Sequence, residues 1–173
     1  MPEGRLDDIV ASDLRILLVA INPAPLSLGV GQHFATPTNA FWKLLHASGL
    51  TSRLFRPDEA PDLLAEGIGL TSLVSRATRA AAELTREEQR VGAIALSRTV
   101  ARCTPRVVAL LGLTLFPFVC PTADEPGPGL KRATLSGAAI FVLPNPSGRN
   151  RAYPGFIGKL PWYTALAEAF PRG

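Results

Sequence analysis

The sequence predicts an α/β fold, a three-layer α/β/α sandwich around a mainly parallel sheet of about four strands, and three observations carry that prediction. Short apolar runs recur at Leu14 to Ile21, Ile68 to Val74, Arg106 to Leu111 and Ala138 to Leu143. They alternate little, so they read as strands buried on both faces. Segments with helical spacing separate them, which is the order of strand-helix-strand units. The chain has 173 residues, 47% of them hydrophobic, enough for one core, so a single domain over residues 1–173 is expected.

The first strand should end at Ile21-Asn22-Pro23, because a proline there removes a ladder donor. From Ile16 to Trp42, 27 consecutive residues carry no Asp, Glu, Lys or Arg. The part after Asn22 holds several Gly and Pro and no helical period, so it reads as a long irregular segment lining a pocket for an uncharged ligand. A helix should follow from Asn39 as N-cap to Gly49 as C-cap, and a shorter one from Pro57 to Glu66. The second strand opens into Ser75-Arg76-Ala77-Thr78-Arg79. Thr85 and Glu88 stand at capping-box spacing for the longest helix, Leu84 to Cys103, which Pro105 ends. After the third strand Gly112 turns into a helix near Leu113 to Phe118, and the Pro/Gly-rich residues 121–132 read as a mobile surface loop. The fourth strand ends at Pro144-Asn145-Pro146-Ser147-Gly148, and a last helix is expected from about Lys159 to Phe170.

Parallel strands of an open sheet present ligands at their carboxyl ends, so Asn22 and Asn145 are placed to face one crevice. The carboxylates nearest to it in sequence are Asp13 and Glu66, outside both turns. Its chemistry should therefore use neutral groups: an Asn amide orients a water through its oxygen and binds a heterocycle edge with both donor and acceptor. Dinucleotide, Walker-type and hydrolase-elbow signatures are absent. Cys103 and Cys120 lack metal or redox spacing and read as structural thiols, and His33 and His46 are too scattered for a metal site. No metal or cofactor is expected.

The net charge of +4 is unevenly spread. Residues 1–144 hold 14 Lys/Arg against 13 Asp/Glu, whereas residues 145–173 hold Arg149, Arg151, Lys159 and Arg172 against Glu168 alone. A cationic cluster beside a crevice suits a polyanion. No signal-peptide pattern opens the chain and no apolar run reaches the length of a membrane span, so a cytosolic or nucleoid protein of bacterial type, without a membrane partner, is expected.

The stretch AINPAPLSLGVGQHFATPTNAFWKLL, followed by GLTSLV-x-R and VLPNPSGRNR, resembles the mismatch-specific uracil/thymine DNA glycosylases of the uracil-DNA glycosylase superfamily. That resemblance covers nearly the whole chain and implies the superfamily's fold. It also implies a role for each matching position. Asn22 corresponds to the catalytic amide that positions the attacking water, and Ile21 to the neighbour whose backbone helps hold the base. Phe34 falls on the aromatic that stacks on extruded uracil, and Asn145 on the amide beside the base. Apart from the motif, Ser27 with Leu26 is expected at the space around a pyrimidine's C5 methyl, on which tolerance of thymine depends. Ser147, Gly148, Arg149, Asn150 and Arg151 correspond to the loop that fills the gap in the duplex and meets the unpaired guanine. Two departures stand out. AINPAP replaces the family's GINPG, and Arg149 stands where some members carry leucine, so opposite-base preference is open. Ser72 offers neither Lys nor carboxylate at a variable position.

The expected function is a monofunctional, metal-free, monomeric repair glycosylase. It would remove uracil, with thymine or ethenocytosine as further substrates, opposite guanine in double-stranded DNA with a G·U or G·T mismatch. Base flipping costs a few kcal/mol, least at a mismatch, so a wedge and a pocket are both required. Two rivals share these residues: a relative acting on nucleosides or single strands, and a weak mismatch-binding or abasic-site-binding module.

Overall fold

The computed structural model describes residues 4–173. Its sheet has five strands in the order β2-β1-β3-β5-β4, with β1 Ile16–Ala20, β2 Ile68–Ser72, β3 Val107–Leu111, β4 Gly129–Leu135 and β5 Ala138–Leu143. The four strands read from the sequence run parallel, and β4 joins β5 antiparallel at the edge. The fifth strand corrects both the count of about four and the reading of residues 121–132 as loop, since Gly129 to Arg132 belong to β4. Unlike the other four strands it is mostly exposed or half-buried, with Lys131 as its one buried residue.

The sheet divides two cores. Ile16 and Leu18 of β1, Val107 and Ala109 of β3, and Phe141 of β5 face one way, under α2 (Phe41–Ala47), the 3-10 helix Pro57–Glu66 and α5 (Gly155–Ala169). Leu17 and Val19, Val108 and Leu110, and Ile140 and Val142 face the other, under α3 (Arg86–Cys103) and α4 (Phe116–Val119). Alternate residues thus feed opposite cores, which explains the unbroken apolar runs. The Thr85 hydroxyl accepts from Glu88 N at 3.0 Å and Glu88 Oε2 accepts from Thr85 N at 2.7 Å, the reciprocal cap expected for α3.

Three boundaries differ from expectation. Residues Pro25–Val30 form α1, a short helix closed by Gly31 in the left-handed region (φ 69°), inside the segment read as irregular. Six residues with Pro and Gly are too few to show a 3.6 period. α2 starts at Phe41, and Asn39 supports it from outside by accepting Phe41 N at 2.9 Å. α5 starts at Gly155 rather than near Lys159 and continues through Pro161. No helix among the described residues is long and apolar enough to cross a membrane.

β2 and β3 flank β1 on opposite sides, so the chain reverses its winding there and a crevice opens at the strands' carboxyl ends. The N-terminal segment closes one rim: Ile9 exchanges two 2.8 Å backbone bonds with Leu70, and Asp8 Oδ1 accepts from the Thr71 hydroxyl at 2.8 Å.

Candidate active site

A cleft of about 990 Å³ lies at those carboxyl ends. Ile21 and Asn22 after β1, Ser72 of β2, Leu111 of β3 and Asn145 after β5 all line it, so the two Asn-Pro turns do share one crevice. Among the described residues no Asp, Glu or Lys lines it. The Asp8 carboxylate stands just behind the wall, bound to Thr71 next to Ser72.

The two amides are held in opposite senses. Asn22 Nδ2 donates to Arg76 O at 2.9 Å and to Thr78 Oγ1 at 2.8 Å. A carbonyl only accepts, so the nitrogen must face Arg76 and the oxygen is left open, without a partner among the described residues. The Thr78 hydroxyl passes its own proton to Ala80 O at 2.8 Å, which fixes it as the acceptor for Asn22. At the other turn Asn145 Oδ1 accepts from Ser147 N at 2.9 Å, and its Nδ2 has no partner among the described residues. The cleft thus holds one open acceptor and one open donor.

Each amide is anchored from outside the cleft. The Arg76 guanidinium grips Glu88 at 2.6 and 3.0 Å and donates to Glu83 O at 3.1 Å, which pins the segment that holds Asn22 to the start of α3. Bonding to Arg76, then to Thr85 N, pushes the Glu88 carboxyl down to about 2. Gly92 of α3 lies so close to Leu73 O that any side chain there would collide with it. On the opposite side the buried Tyr163 hydroxyl of α5 donates 2.9 Å to Pro144 O, just before Asn145, and burial raises its pKa.

Phe34 has φ 51°, a conformation that costs a non-glycine residue roughly 1 to 3 kcal/mol and that persists where surroundings enforce it. Two contacts enforce it. The Ser27 hydroxyl accepts from Ala35 N at 3.1 Å, and His33 Nε2 donates 2.8 Å to Asp7 O. The result is a Phe34 ring stacked on Phe41 with centroids 3.8 Å apart and planes 15° apart, on the cleft wall. Ser27 is buried and its hydroxyl serves this loop, while Leu26 beside it is exposed on the wall. The Ile21 side chain lies in the core behind α3 and its carbonyl accepts from Val74 N at 2.9 Å.

The loop after Asn145 is ordered by its own polar groups. Ser147 Oγ accepts from Arg149 N at 3.3 Å, Asn150 Nδ2 donates to Asn145 O at 3.3 Å, and Pro146 O accepts from Ala40 N at 3.2 Å. Pro146 is buried, whereas Gly148 and Arg149 project. Arg149 Nη1 reaches across the cleft mouth to Arg79 O at 3.0 Å. Arg151 is exposed and away from the lining.

The basic tail needs one correction. Lys159 is 1% exposed and bound to Tyr153 O and Gly155 O, and Arg172 pairs with Glu66 at 3.4 Å. Cations without an ion pair among the described residues near the mouth are Arg149, Arg151 and also Arg79, which the sequence reading gave no role. Thr78 and the Arg76 carbonyl were likewise missed. They lie 56 and 54 positions from Asn22, and no local pattern reports such a pairing.

Residues 7–168 match the profile of the uracil DNA glycosylase superfamily. The chain belongs to that superfamily. Its members are DNA glycosylases, so hydrolysis of a base from DNA is the general activity and DNA is the partner. A solution NMR structure from Methanosarcina acetivorans, of a protein named as a candidate uracil DNA glycosylase, superposes with a TM-score of 0.63. It matches 96% of this chain and 97% of its own, at 18% identity, a likeness that speaks for the fold. In this glycosylase the fold thus places two oppositely oriented amides, an aromatic wall and a projecting turn around one cleft that no carboxylate lines among the described residues.

Proposed function

We propose that this glycosylase is monofunctional and mismatch-specific, removing uracil opposite guanine in duplex DNA as a one-domain monomer, with thymine and ethenocytosine as secondary substrates. The observation that carries this reading is the pair of open amide ends, Asn22 Oδ1 and Asn145 Nδ2, on a cleft without carboxylate or lysine among the described residues.

In the proposed reaction the Gly148-Arg149 turn fills the gap as the nucleotide swings out, and the base slides onto the Phe34 face left free by Phe41. Base-aromatic stacking of this kind is worth about 1 to 3 kcal/mol. Asn145 Nδ2 donates to a base carbonyl, which accumulates charge as the C1′–N1 bond breaks and the electron pair leaves with the pyrimidine. A water held by Asn22 Oδ1 adds its oxygen to the cationic C1′. Its proton passes to the departed pyrimidine anion, giving a neutral base and an abasic sugar. Without a carboxylate to activate the water, turnover is modest and depends on how firmly the Asn22 amide is aimed. With no lysine on the cleft, no imine forms and the strand is not cut.

Alkaline cleavage of labelled duplexes carrying G·U, A·U, G·T or ethenocytosine tests this, with wild type and Asn22→Ala. Cleavage in the order G·U above G·T, abolished by Asn22→Ala while binding persists, is expected. Equal cleavage of A·U and G·U would remove mismatch specificity from the reading. Unchanged cleavage in Asn22→Ala would favour a binding module with an incidental activity, and loss of cleavage when duplex replaces single strand would favour a single-strand enzyme.

A further inference from the structure

A second cavity of about 540 Å³ lies across the Pro146–Gly148 turn from the cleft. Thr38, Asn39, Pro146 and Gly148 line both spaces, so the turn is a partition between them. The turn packs closely on its support, since a Cβ on Gly148 would meet Thr38 O at 3.4 Å.

Both spaces carry cations, Arg79 and Arg149 at the cleft and Lys43 and Lys159 in the second cavity. Lys43 and His46 of α2 face Lys159 of α5 across the second cavity, and no Asp or Glu lines it among the described residues. Lys159 has no carboxylate within ion-pair distance among the described residues. Two of its three N–H donors go to Tyr153 O at 2.8 Å and Gly155 O at 3.2 Å, which leaves one without a partner among the described residues. A buried cation without a counter-ion is costly. Shaping the lip at residues 153–155 accounts for two of its bonds. It does not account for the facing Lys43 or for the apolar part of the wall. That part is Ala47, Leu54 and Phe156, with Leu54 51% exposed at the mouth.

We infer that this cavity is a second nucleotide site, which takes one nucleotide of the DNA strand left behind when the target base is extruded. This rests on the duplex reading proposed above. A wedge that parts two strands has a nucleotide on each side of it, and the cleft with the two open amides accommodates the extruded one. The other side offers cations for a phosphate and an apolar wall for a sugar or base, in a volume usual for a small-ligand pocket. The protein thus grips both strands on either side of Gly148, and the second grip makes binding depend on an intact partner strand.

The test measures Kd for a duplex carrying cleavage-resistant 2′-fluorinated deoxyuridine opposite guanine, and for the same duplex with a three-nucleotide gap across from the lesion. Wild type is compared with Lys43→Glu and Leu54→Asp, both at exposed positions, with Tm as the check on folding. Each variant should bind the intact duplex about tenfold more weakly, and Lys43→Glu should lower the salt slope by about one. Neither should change binding to the gapped duplex. Equal loss on both substrates, or loss on neither, overturns the second site. Saturable binding of free dGMP that Lys43→Glu abolishes, with intact-duplex binding unchanged, overturns the strand assignment in favour of a free nucleotide. A wild type that excises uracil while its variants bind like it leaves the glycosylase reading standing without the second site. A wild type that neither excises uracil nor prefers the lesion overturns both.

Discussion

The turns after β1 and β5 have the same sequence, Asn-Pro, and the same place at a strand end, yet they present opposite ends of the amide. At Asn22 a carbonyl and a hydroxyl 54 and 56 residues away hold the nitrogen. At Asn145 a backbone N–H two residues away holds the oxygen. The first turn therefore offers an acceptor whose aim depends on tertiary structure, and the second a donor whose aim is local. An acceptor suits a water and a donor suits a base carbonyl gaining charge, so polarity alone divides the roles.

The harshest way to break this comparison is Asn22→Asp. A carboxylate is a stronger base than an amide, but it cannot donate to Arg76 O and would be repelled by it. Single-turnover excision should fall at least a hundredfold, within the usual range for loss of an acid–base contribution. A rate equal to or above wild type would show that the anchored nitrogen is irrelevant. Asn145→Asp sharpens the other side, because it keeps an acceptor for Ser147 N and removes the open donor. Weakening of lesion binding by about tenfold, as for loss of one buried donor, is expected with Tm unchanged. If binding persists and Tm falls, Asn145 serves only the turn.

Thr78→Val probes the distant support alone. Asn22 keeps Arg76 O, Ala80 O loses its donor, and excision should drop about tenfold with a stability loss of about 1 kcal/mol. Thr78→Ser should restore both, and a stability loss without a rate loss would remove the hydroxyl from the mechanism. The smallest effect concerns Glu88, whose carboxyl is pushed down to about 2 by Arg76 and Thr85 N. A depressed carboxylate contributes stability above its ordinary pKa and loses it as pH falls through its folded value. The Tm of wild type should therefore fall more steeply than that of Glu88→Gln between about pH 4.5 and 2. Parallel Tm curves would show that the Arg76 grip adds nothing to folding.

What was legible in the sequence follows from the range of each interaction. Strands buried on both faces announce themselves because few polar residues are tolerated in them, Thr71 of β2 being one that finds a partner in Asp8, and the α3 cap is legible because Thr85 and Glu88 are three residues apart. β4 was hidden because it is an edge strand carrying Lys131 and Arg132 behind a run of Pro and Gly. Lys159 looked like part of a basic surface, and only the packing of α5 shows that it is buried. Strand-end placement brought both Asn residues to one crevice, and motif resemblance added Phe34. The Thr78 and Arg76 anchors, the Asp7 carbonyl under His33 and the Arg149 bridge to Arg79 join distant segments, and composition does not encode such pairings.

The most direct measurement is a paired one on a single G·U duplex: the single-turnover excision rate and the Kd of Asn22→Ala and of Asn145→Ala. The account predicts a split, with Asn22→Ala losing about a thousandfold in rate while its Kd stays near wild type, and Asn145→Ala weakening binding as well as rate. Equal losses of rate at unchanged Kd in both variants, or excision retained in Asn22→Ala, would contradict it.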